Sequence, residues 1–265
     1  MLKLRNSSPI GGARQYLSLT QSQIDAIANY ADRVIEADEK WGAKKSATFS
    51  VLRALLELTS VGSRRCHYCE DSAADEIEHI WPKKFYPEKT FVWSNYLFAC
   101  GPCNGSNKND QCAVFDTAGV VQDIIRKKGA PITPPITGNP VFLDPSNVDP
   151  MSFMELDLTT GIFIPMGNPN SIGYKRAEYT IRVLGLNKRD YLSNARRNAH
   201  GSYVDSLKQY IEDKRNNVPP DVLKKKRMEI AERHHPSVWF EIKRLAQQSI
   251  EYHQYFAQAP ELYLV

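Results

Sequence analysis

The chain has 265 residues, of which 42% are hydrophobic and 24% are charged. This length suits one large domain or two small ones, and the composition is typical of a folded globular protein. No run of eighteen apolar residues is present, so we predict no membrane span. The first fifteen residues lack the apolar stretch of a secretory signal, which makes the cytoplasm the expected compartment.

The net charge of +4 gives only a weak overall attraction to nucleic acid. Basic residues are grouped locally, mostly in the second half of the chain, at positions 126–128, 188–189, 196–197 and 224–227. Each group either follows a phosphate backbone or forms a solvated helix face. His67 and the pair His234–His235 are expected at the surface.

Two helices are predicted in the first sixty residues. Apolar side chains recur at helical spacing over residues 20–40, and again over residues 45–59. Gly62 is expected to interrupt the second pattern before the first cysteine.

Strands and further helices are predicted after this point. Short mixed segments at 76–81 and 95–100 suit strands, and a third helix is expected to begin at Asn104. Residues 129–150 are rich in Pro and Gly, which predicts an irregular connector, and a hairpin is expected around Thr160–Gly161. The remaining predicted helices cover 174–185, 190–216, a segment starting at Pro220, and 237–257. The last helix carries an apolar stripe that serves either as a docking face or as part of the core: Trp239, Phe240, Leu245 and Ile250.

Four of the five cysteines form two Cys-x-x-Cys pairs, Cys66/Cys69 and Cys100/Cys103. Each pair can present two thiolates to one tetrahedral zinc ion, and two pairs complete a closed, structural site. The alternative is redox pairs or coincidental cysteines, but the spacing and a reducing compartment favour zinc. Cys112 is left over and is expected to be a small buried residue.

The thirty residues between the two pairs contain groups suited to phosphodiester hydrolysis. His79 has the side chain of a general base at neutral pH. Glu78 and Asn104 offer the hard oxygen atoms that Mg²⁺ prefers. Glu76 shares a strand face with Glu78 and is a rival ligand. Asn104 is also a good helix cap, and Asn107 is a rival for its role.

The segments EHIWP, WSNYLFAC and CNGSNK together resemble the zinc-stapled form of the HNH endonuclease motif. The resemblance implies two strands and a helix around one divalent metal. It makes His79 the general base and Asn95 the residue that organises the loop and orients that base. It also makes Glu78 and Asn104 the ligands of a catalytic Mg²⁺ or Mn²⁺.

The lysine of this motif departs from the usual spacing. Many HNH enzymes place it three residues after the last motif position, whereas Lys108 follows Asn104 by four. Both Asn104 and Asn107 therefore remain candidate ligands. Lys83 and Lys108 are expected to bind phosphate, with solvated lysines as the alternative.

A narrower resemblance extends into the flanks. The segments IEHIWPK, CNGSNKND, FLDPSNVDP and YTIRVLGLNKRDYLSNAR are similar to the HNH subunit of Septu-type and retron-associated antiphage systems. This resemblance implies a nuclease that acts on DNA or RNA and is accompanied by an ABC-type ATPase encoded beside it.

We therefore expect an α+β protein with a zinc-stapled ββα-metal (HNH) core between mainly α-helical flanks. Its regions are an N-terminal helical region (1–60), the nuclease core (61–128), and a connector with a C-terminal helical region (129–265). The expected function is that of a divalent-metal-dependent HNH endonuclease. The alternatives are a non-catalytic zinc-containing nucleic-acid-binding subunit and a stand-alone restriction-type HNH nuclease. The presence of both Glu78 and His79 favours catalysis, since binding alone needs neither.

Overall fold

The computed structural model describes residues 1–60 and 65–265. The predicted break at Gly62 and the start of the predicted nuclease core at residue 61 lie outside the described residues.

Helices make up much of the described structure. They are α1 (Gly11–Asp25), α2 (Tyr30–Gly42), α3 (Ser46–Thr59), α4 (Ile172–Val183), α5 (Asp190–Arg215), α6 (Pro220–Ala231), α7 (Pro236–Leu245) and α8 (Ile250–Gln258). None of these helices combines the length and the apolar character that crossing a bilayer requires.

The helix predicted over residues 20–40 is wrong in its bounds, because α1 ends and α2 begins within it. Asn29 sets the start of α2. Its Oδ1 accepts hydrogen bonds from the backbone N–H groups of Ala31 (2.8 Å) and Asp32 (3.2 Å). A side chain that satisfies the first free N–H groups fixes a helix start, so the chain turns here instead of continuing.

The helix predicted over residues 237–257 is also divided, into α7 and α8. Ser249 caps α8 by accepting a hydrogen bond from the Glu251 N–H (3.3 Å). The helices predicted over 45–59, 174–185 and 190–216 and from Pro220 agree closely with α3, α4, α5 and α6. The helix predicted to begin at Asn104 is instead a single π-helical turn over Pro102–Lys108.

The strands of residues 65–265 are short and form three small antiparallel sheets. They are β1 (Glu76–His79) with β2 (Tyr96–Ala99), β3 (Ala113–Phe115) between β4 (Val121–Asp123) and β5 (Asn139–Pro140), and β6 (Met154–Asp157) with β7 (Ile162–Pro165). The first and third sheets match predicted strands or hairpins, whereas the second was not predicted. The mixture of helices and small sheets agrees with the expected α+β class.

The β1–β2 hairpin lies between two hydrophobic cores. Tyr96 and Phe98 belong to a core built with α1, α2 and α3, whereas Leu97 belongs to a core that extends through the C-terminal half. The register pairs Glu78 with Leu97 and His79 with Tyr96. Because successive strand residues face opposite sides, Glu78 faces the C-terminal half and His79 faces the N-terminal helices.

The apolar stripe of the last predicted helix is mostly part of the core. Trp239 is buried and stacks on Tyr203, with ring centroids 5.4 Å apart. Phe240 and Leu245 pack partly buried against the same core, and Ile250 alone of the four is strongly exposed. The stripe is therefore not a free docking face.

Candidate metal and catalytic site

The four paired cysteines converge on one buried site. The Sγ atoms of Cys66, Cys69, Cys100 and Cys103 all lie within 4.8 Å of one another. The Cys69 and Cys100 sulfurs are 3.8 Å apart. Four Zn–S bonds of about 2.3 Å require a sulfur–sulfur edge of about 3.8 Å in a tetrahedron. Within the described residues, no other group of three or more Cys, His, Asp or Glu side chains is gathered in this way. The cluster thus has the ligands and spacing of a structural zinc site, as predicted.

Backbone hydrogen bonds close the turn of each cysteine pair. The Glu70 N–H donates to the Cys66 carbonyl (3.0 Å), and the Asn104 N–H donates to the Cys100 carbonyl (2.9 Å). The Glu70 carboxylate then accepts hydrogen bonds from the backbone N–H (3.1 Å) and the hydroxyl (2.6 Å) of Ser237. The first turn is therefore tied to the start of α7.

His67, inside the first cysteine pair, is buried, so its expected surface position is wrong. Its backbone N–H donates to the Phe98 carbonyl (2.9 Å), and its Nδ1 accepts from the Phe98 N–H (3.1 Å). Its Nε2 lies 3.0 Å from the Ser60 hydroxyl. Burial lowers the pKa of His67 to about 4. The residue is a neutral link between the cysteine turn and β2.

His235 is also buried, which again differs from expectation, while His234 beside it is exposed as predicted. The His235 Nε2 lies 3.3 Å from a carboxylate oxygen of Asp71, just after the first cysteine pair. Cys112 is buried and stands outside the four-sulfur cluster, as expected.

Glu78 forms a buried ion pair with Lys108. The Glu78 Oε1 and the Lys108 Nζ are 2.5 Å apart, and both side chains are almost completely buried. Lys108 also donates a hydrogen bond to the backbone carbonyl of His79 (2.8 Å). Burial raises the pKa of Glu78 to about 7, although Lys108 acts in the opposite direction. Lys108, which was expected to bind phosphate, is thus paired with Glu78, which was expected to bind a metal.

Residues Pro102–Lys108 form a π-helical turn. The Asn109 N–H donates to the Asn104 carbonyl (2.7 Å), which is the five-residue hydrogen bond of a π-helix. The wider turn accommodates the extra residue between Asn104 and Lys108. Turns of this kind are rare in proteins, and many of those known lie at functional sites.

The two candidate asparagines face different neighbours. The Asn104 Nδ2 donates to a Glu76 carboxylate oxygen (2.6 Å). The Asn107 Nδ2 instead donates to the Pro102 carbonyl (2.5 Å). Of the two, Asn104 is therefore the residue with a contact to a carboxylate of β1.

His79 lies on the other face of β1 and is 8% exposed. Its Nε2 is 3.0 Å from the Thr90 carbonyl. Because a carbonyl only accepts, Nε2 carries the proton and Nδ1 is left as the acceptor. The Trp41 ring of α2 packs edge-on against the imidazole, with centroids 4.3 Å apart. Burial lowers the pKa of His79 to about 3, so the side chain is neutral near pH 7.

Asn95 holds the loop that joins the two strands. Its Oδ1 accepts from the Trp81 N–H (2.8 Å), and its Nδ2 donates to the carbonyls of Trp81 (3.0 Å) and Lys89 (2.9 Å). Thr90, which contacts His79, directly follows Lys89. The amide thus fixes the segment that orients the imidazole.

The structure brings Asn104 to Glu76 and Lys108 to Glu78 on one side of β1 and leaves His79 on the other. Lys83 lies apart from them and forms an ion pair with Asp38. Three contacts were not found from the sequence. They are the Thr90 carbonyl at His79, the Trp41 ring over His79, and the Arg189 guanidinium at Cys103.

We expect the purified wild-type chain to contain one zinc ion, and the Cys103→Ser variant to lose it together with most of its thermal stability. Structural zinc contributes on the order of 10 kcal/mol to folding when it is bound only in the native state. Cys112→Ser is the matched control, because it removes a buried thiol that lies outside the cluster. Elemental analysis and thermal unfolding measure both effects. A zinc-free wild-type chain of normal stability contradicts the four-sulfur site.

No family model and no solved structure matches the chain. Among curated proteins, the chain is similar to the Septu protein PtuB of Bacillus thuringiensis, with 38% identity over 55 residues. The aligned segment covers 19% of this chain and 21% of that protein. The chain therefore matches about a fifth of its relative's length. This partial match links the chain to a Septu protein, in agreement with the narrower of the two sequence resemblances.

Proposed function

We propose that the chain is a divalent-metal-dependent HNH endonuclease that hydrolyses phosphodiester bonds of nucleic acid. We further propose that it is the nuclease of an antiphage defence complex with an ABC-type ATPase. The observation that carries the proposal is the β1–β2 hairpin, in which Glu78 and His79 end one strand beside a cysteine-stapled turn with Asn104. The partial similarity to PtuB supports the defence role.

His79 is the proposed general base. Hydrolysis needs a group that takes a proton from the attacking water, and the unprotonated His79 has a ring nitrogen free to do so. Burial lowers the pKa of His79 to about 3, so catalysis by His79 also requires this pKa to rise when the site opens to substrate. Its Nε2–H is directed to the Thr90 carbonyl, so Nδ1 is the atom that accepts the proton. Asn95 keeps this arrangement in place because it fixes the backbone around Trp81 and Lys89.

Glu78 and Asn104 are the proposed ligands of a catalytic Mg²⁺ or Mn²⁺, with Glu76 as the neighbouring carboxylate. Hard oxygen donors of this type suit either ion. When bound, the ion stabilises negative charge on the phosphate and the leaving oxygen.

Lys108 has to release Glu78 before that carboxylate can act as a ligand. In the described structure its ammonium already neutralises Glu78. Once released, the same ammonium is the group proposed to meet a phosphate oxygen. Lys83, which pairs with the exposed Asp38, is the second proposed phosphate contact.

A non-catalytic nucleic-acid-binding subunit is the second candidate function. The observation that favours it is the burial of Glu78 and His79, which leaves little of either side chain open to substrate. The two functions differ in one result. The nuclease cuts in the presence of Mg²⁺ or Mn²⁺ and loses cutting with His79, whereas the binding subunit retains nucleic acid without cutting it.

We expect His79→Ala to reduce cleavage by at least ~10²-fold while zinc content is retained, because the variant removes the proposed base. Some thermal stability is lost as well, since His79 packs in the core against Trp41. Plasmid DNA and a structured RNA are incubated with Mg²⁺ or Mn²⁺, which also separates the two substrate classes. The matched control is His253→Ala, which removes an exposed histidine on α8.

The His253→Ala variant should cut as fast as the wild-type chain. Cleavage by His79→Ala at the wild-type rate overturns the assignment of the base. Absence of cleavage by the wild-type chain, with tight nucleic-acid binding, selects the binding subunit instead.

We expect the Mg²⁺ concentration for half-maximal cleavage to rise as the pH falls below about 7. Burial raises the pKa of Glu78 to about 7, so this carboxyl becomes protonated and loses its charge below that pH. The rise approaches tenfold per pH unit, which is the change in the ionised fraction of one carboxyl. A Mg²⁺ requirement that stays constant between pH 5.5 and 8 contradicts Glu78 as the ligand.

We expect the chain to form a stable complex with an ABC-type ATPase encoded beside it. Co-expression uses the His79→Ala variant to avoid cleavage of host nucleic acid, and size-exclusion chromatography with and without ATP measures association. Separate elution at micromolar concentration under both conditions overturns the defence complex. A stand-alone HNH nuclease is then the better account, provided that cleavage itself is observed.

A further inference from the structure

The zinc-binding cluster has a neighbour from a distant part of the chain. The Arg189 Nη2 lies 3.3 Å from the Cys103 Sγ, although 86 positions separate the two residues. The same guanidinium donates to the Leu184 carbonyl (2.8 Å) through Nη2 and to the Gly185 carbonyl (3.2 Å) through Nε. These bonds hold the planar group in one orientation, with its edge directed at the sulfur.

The turn that carries Arg189 is fixed against the second cysteine pair. Gly185 has a φ of 58°, which favours glycine, and a Cβ there would lie 2.5 Å from the Asn107 side-chain oxygen. This close approach joins the turn to the π-helical segment after Cys103. On its other side, the Asn187 amide exchanges hydrogen bonds with the N–H (2.9 Å) and carbonyl (2.8 Å) of Phe163 in β7.

The contact between Arg189 and Cys103 offsets the negative charge that the cluster would carry with zinc bound. Zn²⁺ with four thiolates carries a formal charge of roughly −2, and burying such a charge without compensation is costly. Arg189 provides a permanent positive charge and a hydrogen-bond donor at one of the sulfurs. Arg196, two turns further along α5, is almost completely buried and also interacts electrostatically with Cys69.

We propose that Arg189 is an integral part of the zinc centre. Its guanidinium donates a charge-assisted hydrogen bond to the Cys103 thiolate, stabilises the metal-bound form, and joins the 184–189 turn to the cysteine cluster as one structural unit. This inference concerns zinc retention and does not depend on nuclease activity.

The test compares zinc release from three full-length variants to the chromogenic chelator 4-(2-pyridylazo)resorcinol. Arg189→Gln removes the charge and is expected to release zinc 10–100-fold faster than the wild-type chain, roughly the effect of losing a group that supports a metal ligand. Asn187→Ala is the matched control, because it loosens the same turn without touching a sulfur. It should release zinc at close to the wild-type rate.

A second measurement uses the Co²⁺-substituted protein, in which thiolate-to-cobalt charge-transfer bands report on the sulfurs directly. We expect these bands to shift in Arg189→Gln and to stay unchanged in Asn187→Ala. Unchanged release and unchanged bands in Arg189→Gln overturn the inference. Equal effects of the two substitutions also overturn it, since a loosened turn then explains both.

Arg189→Lys keeps the test valid if the glutamine variant fails to fold. Lysine retains the charge but lacks the planar fork that bonds a carbonyl and a sulfur together. We expect this variant to release zinc faster than the wild-type chain. A wild-type release rate from a folded Arg189→Lys protein overturns the role of the guanidinium.

Discussion

The fold of this chain depends on one requirement: four cysteine sulfurs must be brought together in one buried site. The first pair precedes β1 and the second directly follows β2, so a zinc ion bound by the four sulfurs would join the two ends of the hairpin. Strands of four residues are too short to be stable as an isolated pair. The hairpin is therefore supported by the cysteine cluster at its open end and by a hydrophobic core against each of its faces.

The same requirement explains several polar contacts that otherwise have little in common. His67 links the first cysteine turn to β2, and Glu70 links it to α7. Arg189 brings the start of α5 to the second pair. Each contact ties one of the two cysteine turns to another element of the fold. The cysteine cluster and the C-terminal helices are therefore parts of one packed structure.

The proposed metal ligand Glu78 on β1 is held in a buried ion pair with Lys108. Lys108 occupies the space beside Glu78 that a divalent cation would need, and both groups are shielded from water. Loss of one partner of a buried pair typically costs about 3–5 kcal/mol, because the other charge is left without compensation. Lys108 thus stabilises the folded chain in the described structure, and a catalytic role requires it to exchange one negative partner for another.

The sequence predicted the local features more reliably than the long-range ones. Cys-x-x-Cys spacing anticipated the cluster, and apolar patterns anticipated α3, α4, α5 and the β1–β2 pair. The helix start at Asn29 could not be predicted from the sequence. The apolar pattern continues across Asn29, and capping depends on backbone geometry. The buried positions of His67 and His235 depend on partners far along the chain. The Thr90 carbonyl has no side-chain signature, and Arg189 was indistinguishable from other residues in basic groups.

The π-helical turn makes the length of this segment matter more than the identity of its middle residues. Gly105 and Ser106 are exposed, so their side chains contribute little to packing. Their number, however, sets the angle between Asn104, which contacts Glu76, and Lys108, which contacts Glu78. Deleting one residue would tighten the turn toward an α-helix and rotate one of these side chains away from β1. The segment is therefore expected to tolerate exchange of residues at these two positions but not a change in their count.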